Sequence, residues 1–205
     1  MVMRTPIKLS TRRQALWALA CLPLAGHAQT SSVRVNVEGQ RFDAVARVAG
    51  SELRLNGTGL RAVAWFKAFA VGLYLTAPAR STQEVTAMNG PKRLQLRMLR
   101  ELPAAEFNKA VHKGVSRNVS AGQLQALQGR LDEFGTQVDA LNKLKAGDVV
   151  DLDHEPGQGM AMRLNGTLRA GSIPGDDFFA ALLLSFLGDE PYDKKLKAGL
   201  LGLAP

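Results

Sequence analysis

The chain has 205 residues, with 26 Lys and Arg against 18 Asp and Glu, a formal net charge of +8. Four of those cations and none of the acids lie in the first 28 positions, which leaves 22 against 18, a net +4, for the remainder. A small surplus spread along the chain bears on solubility and excludes the dense basic footprint of a nucleic-acid binder.

The first 28 residues read as a targeting segment. Arg4, Lys8, Arg12 and Arg13 form a basic stretch, Ala15 to Leu24 a short apolar one, and Gly26-His27-Ala28 a small-residue cleavage site. About ten apolar residues are too few to span a bilayer, which takes about 20. Ser10-Thr11-Arg12-Arg13-Gln14-Ala15-Leu16 also resembles a twin-arginine export signal. The expected organisation is a signal peptide over 1–28 and one domain over 29–205, exported by the secretion machinery to the periplasm. The single cysteine, Cys21, lies inside the leader, so the mature domain is expected to have neither a disulfide nor a thiolate nucleophile. As a lipid-attachment site Cys21 matches poorly, with Ala18 where leucine is usual.

The front half of the domain has strand patterning. Val33, Val35 and Val37 alternate with polar residues, and Leu53 and Leu55 do so ahead of Asn56-Gly57, which reads as a turn. Val63 to Leu75 reads as one long apolar strand whose single charge is Lys67. Ser81 to Met88 is expected to be a short helix capped by Ser81 or Thr82, and Arg93 to Arg100 another strand. Pro103 opens a helix with Phe107, Val111 and Val115 on one face. Ser120 caps a second, with a stripe of Leu124, Leu127, Leu131, Phe134, Val138 and Leu141. Asp148 to Asp153 and Met160 to Leu164 return to strand, followed by the hairpin signal Asn165-Gly166. From Pro174-Gly175-Asp176 a helix apolar nearly all round is expected, and Pro191 to Leu201 forms a last short one. Strands, helices, then strands and helices again predict an α+β layer structure.

Arg61 stands out because it opens that apolar strand. A guanidinium aimed into apolar surroundings needs an internal partner or an anionic ligand, since leaving it unpaired is costly. An internal salt bridge or a carbonyl clamp is one reading. The other is a bound carboxylate, with the amides of Gly57 and Gly59 helping to cradle it. Asp151, Asp153 and Glu155 share one strand face and read as a solvated edge. His112 and His154 lack ligand-spaced partners, so no metal site is expected. Arg93, Arg97 and Arg100 have no interleaved aromatics, which again disfavours nucleic acid.

Three segments, Leu55-Asn56-Gly57-Thr58-Gly59-Leu60-Arg61, Gly72-Leu73-Tyr74-Leu75 and Ile173-Pro174-Gly175-Asp176-Asp177-Phe178, together resemble those of the bacterial chalcone isomerase-like proteins. So does the ending Phe186-Leu187-Gly188-Asp189-Glu190-Pro191, with Leu196-Lys197 and Leu200-Leu201-Gly202. The resemblance implies an open β-sandwich: a large antiparallel sheet covered by helices, with an apolar cleft between. In that family the plant enzymes use an arginine at the place of Arg61 to hold a phenolate, and related plastid proteins use it to meet a fatty-acid carboxylate. The enzymes' tyrosine, lysine and asparagine fall here on Phe107, Ala110 and Gly114, and a sheet threonine on Phe69. A hydroxyl persists as Ser185. Those residues cannot polarise a carbonyl or orient water, so no catalytic residue is assigned.

The leading expectation is therefore a non-catalytic binder of a fatty acid or similar apolar carboxylate, with no cofactor. Its site residues would be Arg61, Gly59, Phe69, Tyr74, Phe107 and Ser185, and Val63, Trp65, Phe178 and Leu182 would add to the wall. Tyr74 would need a bulge to reach the side of Arg61, being an odd number of residues away. Two alternatives stand beside this one. One is an isomerase or lyase in which Arg61 stabilises an oxyanion, helped by Ser185. The other is an interaction protein whose cleft is filled by its own side chains.

Overall fold

The strand that holds Leu53 and Leu55, the apolar strand after it and the later strand segments belong to one curled antiparallel sheet of seven strands, as a computed structural model shows. The structure describes residues 34–203 except 64, 65 and 170. The leader, Val33 and Trp65 lie outside the described residues. In chain order the elements are β1 (Arg34–Val37), β2 (Gln40–Asp43), β3 (Val45–Val48), β4 (Ser51–Val63), β5 (Phe66–Leu75), α1 (Thr82–Ala87), β6 (Lys92–Met98) and β7 (Leu102–Pro103). There follow α2 (Ala104–Asn118), α3 (Ala121–Asp139), β8 (Lys143–Leu144), β9 (Val149–Glu155), β10 (Gly159–Leu164), β11 (Thr167–Leu168), α4 (Asp176–Leu187) and α5 (Lys194–Leu200). The large sheet runs β11-β10-β9-β6-β5-β4-β3; β1-β2 and β7-β8 are separate two-stranded pairs.

One face of the sheet carries Phe69, Val71, Leu73 and Leu75 of β5, Leu94, Leu96 and Met98 of β6, and Val150 and Leu152 of β9. Onto it pack the apolar faces of the helices, including Val111 and Val115 of α2 and Phe178, Leu182 and Phe186 of α4. The stripe on α3 is buried at Leu127, Leu131, Phe134 and Val138. Ser120 closes a full capping box with Gln123 at the start of α3. This is the α+β arrangement expected, an open antiparallel sheet under a helical layer. Among the described residues no helix is long and apolar enough to cross a membrane.

Two local expectations are corrected. Asn56-Gly57 is not a turn: β4 continues through it, with a register shift against β5 between Leu55 and Gly57. Asn56 instead ties the strand to distant chain, donating to the carbonyls of Ala79 and Leu200 at 2.9 and 2.8 Å and accepting from the Ala79 amide at 2.8 Å. Asn165-Gly166, by contrast, is a true hairpin turn, with φ of 52° and 79°. Nor is Val63 to Leu75 one strand. β4 ends at Val63 and β5 begins at Phe66, running back antiparallel, so that Arg61 lies opposite Phe69.

The other sheet face holds a smaller core of Phe42, Val48, Leu53, Ala70 and Tyr74. A buried polar network adjoins it. Arg93 grips Asp153 through two nitrogens at 2.5 and 2.8 Å, Gln95 donates to Asp151 at 2.8 Å, and Arg97 lies 5.2 Å from the Phe42 ring centroid. Asp151 and Asp153 are therefore not on a solvated edge. Strand β9 is interior, between β10 and β6, and both carboxylates are buried against cations. Burial pushes the Asp151 carboxyl above the usual range despite Arg93.

Candidate ligand-binding site

Opposite partners on neighbouring antiparallel strands point to the same face. The pairing of Arg61 with Phe69 thus turns both toward the helices, at the end of the sheet where β4 meets β5. There a cleft of about 470 Å³ opens between sheet and α2, within the size range of small-molecule sites. Its floor is aromatic: Phe69, Phe107 and Phe186 are all buried. Its mouth carries Phe66, Arg100, Glu101, Glu106 and Ala110, all exposed. Glu101 is held away by Lys143 at 2.9 Å, and Arg100 lies 5.5 Å from the centroid of Phe66.

Arg61 and Tyr192 form the polar wall. Nη1 of Arg61 donates to the main-chain carbonyl of Tyr192 at 2.5 Å, and the guanidinium carbon lies 5.7 Å from the centroid of the Tyr192 ring. Of the two internal partners anticipated for Arg61, the carbonyl clamp is present and the salt bridge is not, among the described residues. A guanidinium has five N–H donors, and this contact uses one. A carbonyl orients the cation without neutralising it.

Tyr192 in turn is fixed by three contacts. Its hydroxyl donates to the carbonyl of Ala110 at 2.9 Å, and its ring meets Phe186 edge-on at 5.0 Å. Removal from water pushes its phenol well above the ordinary range, so it remains a protonated donor. The ring rests on Gly114, where a Cβ would come within 2.7 Å of the ring Cζ, the phenol oxygen and Ser185 Cβ. Only glycine leaves room for Tyr192 as placed.

The expected site residues divide. Arg61, Phe69 and Phe107 line the cleft, and Ala110 reaches its mouth. Gly59 does not. A Cβ there would sit 2.5 Å from Leu196 Cδ1 and 2.9 Å from the Leu196 carbonyl, so its bareness, like that of Gly57, lets α5 lie flat on β4. Gly59 pairs with Val71 of β5 within the sheet. Tyr74 points to the opposite sheet face, because it follows Phe69 by an odd number of residues. There it is 1% exposed, and burial lifts its phenol to about 12. Ser185 is fully buried behind Tyr192 and does not border the cleft. Phe178 and Leu182 are core rather than wall. His154 stacks on Phe179 at 4.9 Å and bonds Asp176 at 3.0 Å.

Tyr192 and Phe186 were not legible as site residues. Phe186 sits in a helix apolar on every side, where no pattern picks out the one facing a cleft. Tyr192 reaches Arg61 only because α5 folds back onto β4 across 131 residues of sequence. The one local signal is a lone tyrosine just before the helix cap Asp193.

An open antiparallel sheet under a helical cover, with an apolar cleft that Arg61 borders, defines an α+β protein of the open-sandwich class. The family model for chalcone isomerase-like proteins matches residues 34–202, and the chain belongs to that family. Among solved structures it is similar to the crystal structure of a fatty-acid binding protein of Arabidopsis thaliana. The two share 17% identity and a TM-score of 0.65, over 82% of this chain and 96% of that one. At that identity the likeness establishes the common fold. No curated protein matches the chain.

Proposed function

We propose that the protein is an exported, non-catalytic binder of a fatty acid or similar apolar carboxylate, anchored by Arg61. The observation that carries this reading is the Arg61 guanidinium itself. It lies at the wall of an aromatic-floored cleft, and its one hydrogen-bond partner among the described residues is a neutral carbonyl. A carboxylate would accept from the remaining donors, two of which form a planar fork suited to it. Phe69, Phe107 and Phe186 would take the chain. That the structurally similar Arabidopsis protein is named for fatty-acid binding supports the reading.

Phe107, Ala110 and Gly114 of α2 bring no acid or base, and Glu106 of the same helix lies exposed at the mouth of the cleft, which favours binding over turnover. Ser185 lies outside the cleft, which counts against its assisting an oxyanion. The open volume of the cleft counts against a site filled by its own side chains. Export rests on the leader pattern of residues 1–28.

Native mass spectrometry of the protein purified from the periplasm tests the reading. A bound mass of a few hundred daltons, absent from Arg61→Ala, is the expected result. A protein that is empty and unshifted by added fatty acids would contradict it.

A further inference from the structure

Next to the cleft lies a second hollow of about 120 Å³, and Arg61, Ala110 and Tyr192 border both. Its other walls are Lys113, Gly114 and Arg117 of α2 and Glu190 of the loop before α5. Lys113 and Arg117 are one helical turn apart and so share a face. Both are exposed, and no described side chain pairs with either. Glu190 meets Asn118 through its main chain, with its own carboxylate uncommitted.

Three cations and one acid thus surround this hollow. A single carboxylate at Arg61 would leave this hollow with a positive surplus. A phosphomonoester, at about −1.5 to −2 charge near neutral pH and with three acceptor oxygens, answers both its charge and its donors. The volume suits a tetrahedral oxyanion.

We infer that the hollow is a head-group site for a phosphate monoester carried on an apolar chain, the chain lying in the cleft and the phosphate between Arg61, Lys113 and Arg117. The inference rests on the binding role proposed for the cleft and names the head group that the site prefers.

Calorimetric titration with dodecyl phosphate, dodecanoate and inorganic phosphate tests it, on the wild type and on the double variant Lys113→Gln, Arg117→Gln. Both substituted residues are exposed, so the fold should be retained. The expected result is dodecyl phosphate bound about tenfold more tightly than dodecanoate by the wild type. In the double variant that preference should vanish, dodecyl phosphate losing far more affinity than dodecanoate. Equal affinities in the wild type, or a preference that survives the double substitution, would overturn the head-group site while leaving the carboxylate binder intact. Inorganic phosphate binding as tightly as dodecyl phosphate would overturn the amphiphile in favour of a plain phosphate site. If neither amphiphile bound, the head-group site would fall together with the binding role.

Discussion

Arg61 and Tyr192 are joined twice, by a hydrogen bond from the guanidinium to the Tyr192 carbonyl at 2.5 Å and by the placement of the same cation 5.7 Å from the Tyr192 ring centroid. The second residue is held in place by α2, through the Ala110 carbonyl and the bare surface of Gly114. The orientation of the Arg61 guanidinium therefore depends on α2 by way of Tyr192.

Tyr192→Phe should separate these roles. It removes the hydroxyl bonded to Ala110 but keeps the ring and the carbonyl, so stability should fall by about 1 kcal/mol and ligand affinity should hold. Tyr192→Ala should weaken binding as well, because the ring beside Arg61 is gone. Urea denaturation and ligand titration of the two variants make the comparison.

Gly114→Ala should be destabilising although alanine favours helix. The new methyl would press on Tyr192 and Ser185, and overpacking of this kind costs about 1–3 kcal/mol. The same substitution at Gly129, exposed to open space on α3, should be neutral or stabilising. Thermal unfolding of both variants checks the contrast.

If the aromatic floor takes an alkyl chain, affinity should grow with chain length until the cleft is full. About 0.8 kcal/mol per buried methylene corresponds to roughly a fourfold gain for each carbon added. Titration with a series of linear carboxylates should show that slope and then a plateau.

On the opposite face, Asp153→Ala should cost about 3 kcal/mol, because Arg93 is nearly buried and would keep only Asp151, at 3.8 Å. Removing the exposed Glu101 partner of Lys143 should cost less than about 1 kcal/mol. Denaturation midpoints of the two variants measure the difference.

The start of α4 predicts the acid limb of stability. A hydrogen bond from His154, then one from the Gly157 amide, hold the Asp176 carboxyl below the usual range. Arg130 does the same for Asp177. Because both folded values lie below the unfolded value of about 3.9, their stabilisation is complete above it and is lost as pH falls through the folded values. The double variant Asp176→Asn, Asp177→Asn should therefore be less stable than wild type at neutral pH. The gap should close toward acid, as read from denaturation curves at several pH values.

Where local chemistry decides a structure, the sequence showed it: the Ser120 cap, the α3 stripe and the Asn165-Gly166 hairpin all form as their residues imply. Asn56-Gly57 carries the same dipeptide and does something else. Its strand continues because Asn56 is held by Ala79 and Leu200 and because α5 needs the bare Gly57 surface. Both causes are tertiary and invisible to a local pattern. The site divides in the same way. Arg61 was legible as a charge among apolar residues, and Phe107 as a helix residue facing the sheet. Tyr74 was misplaced because strand residues alternate faces and only the register shows which side each takes, whereas Gly59 shares the face of Arg61 but lies under Leu196 of α5. Tyr192 depended on a contact between distant ends of the chain.

The central claim is that Arg61 anchors an apolar anion in the cleft. The most direct measurement is calorimetric titration of dodecanoate into wild type and Arg61→Gln, with folding checked by circular dichroism. The account predicts saturable one-to-one binding by the wild type and a loss of at least about tenfold in the variant, since a charge-assisted bidentate pair contributes more than a neutral hydrogen bond. Equal binding by both proteins would contradict it.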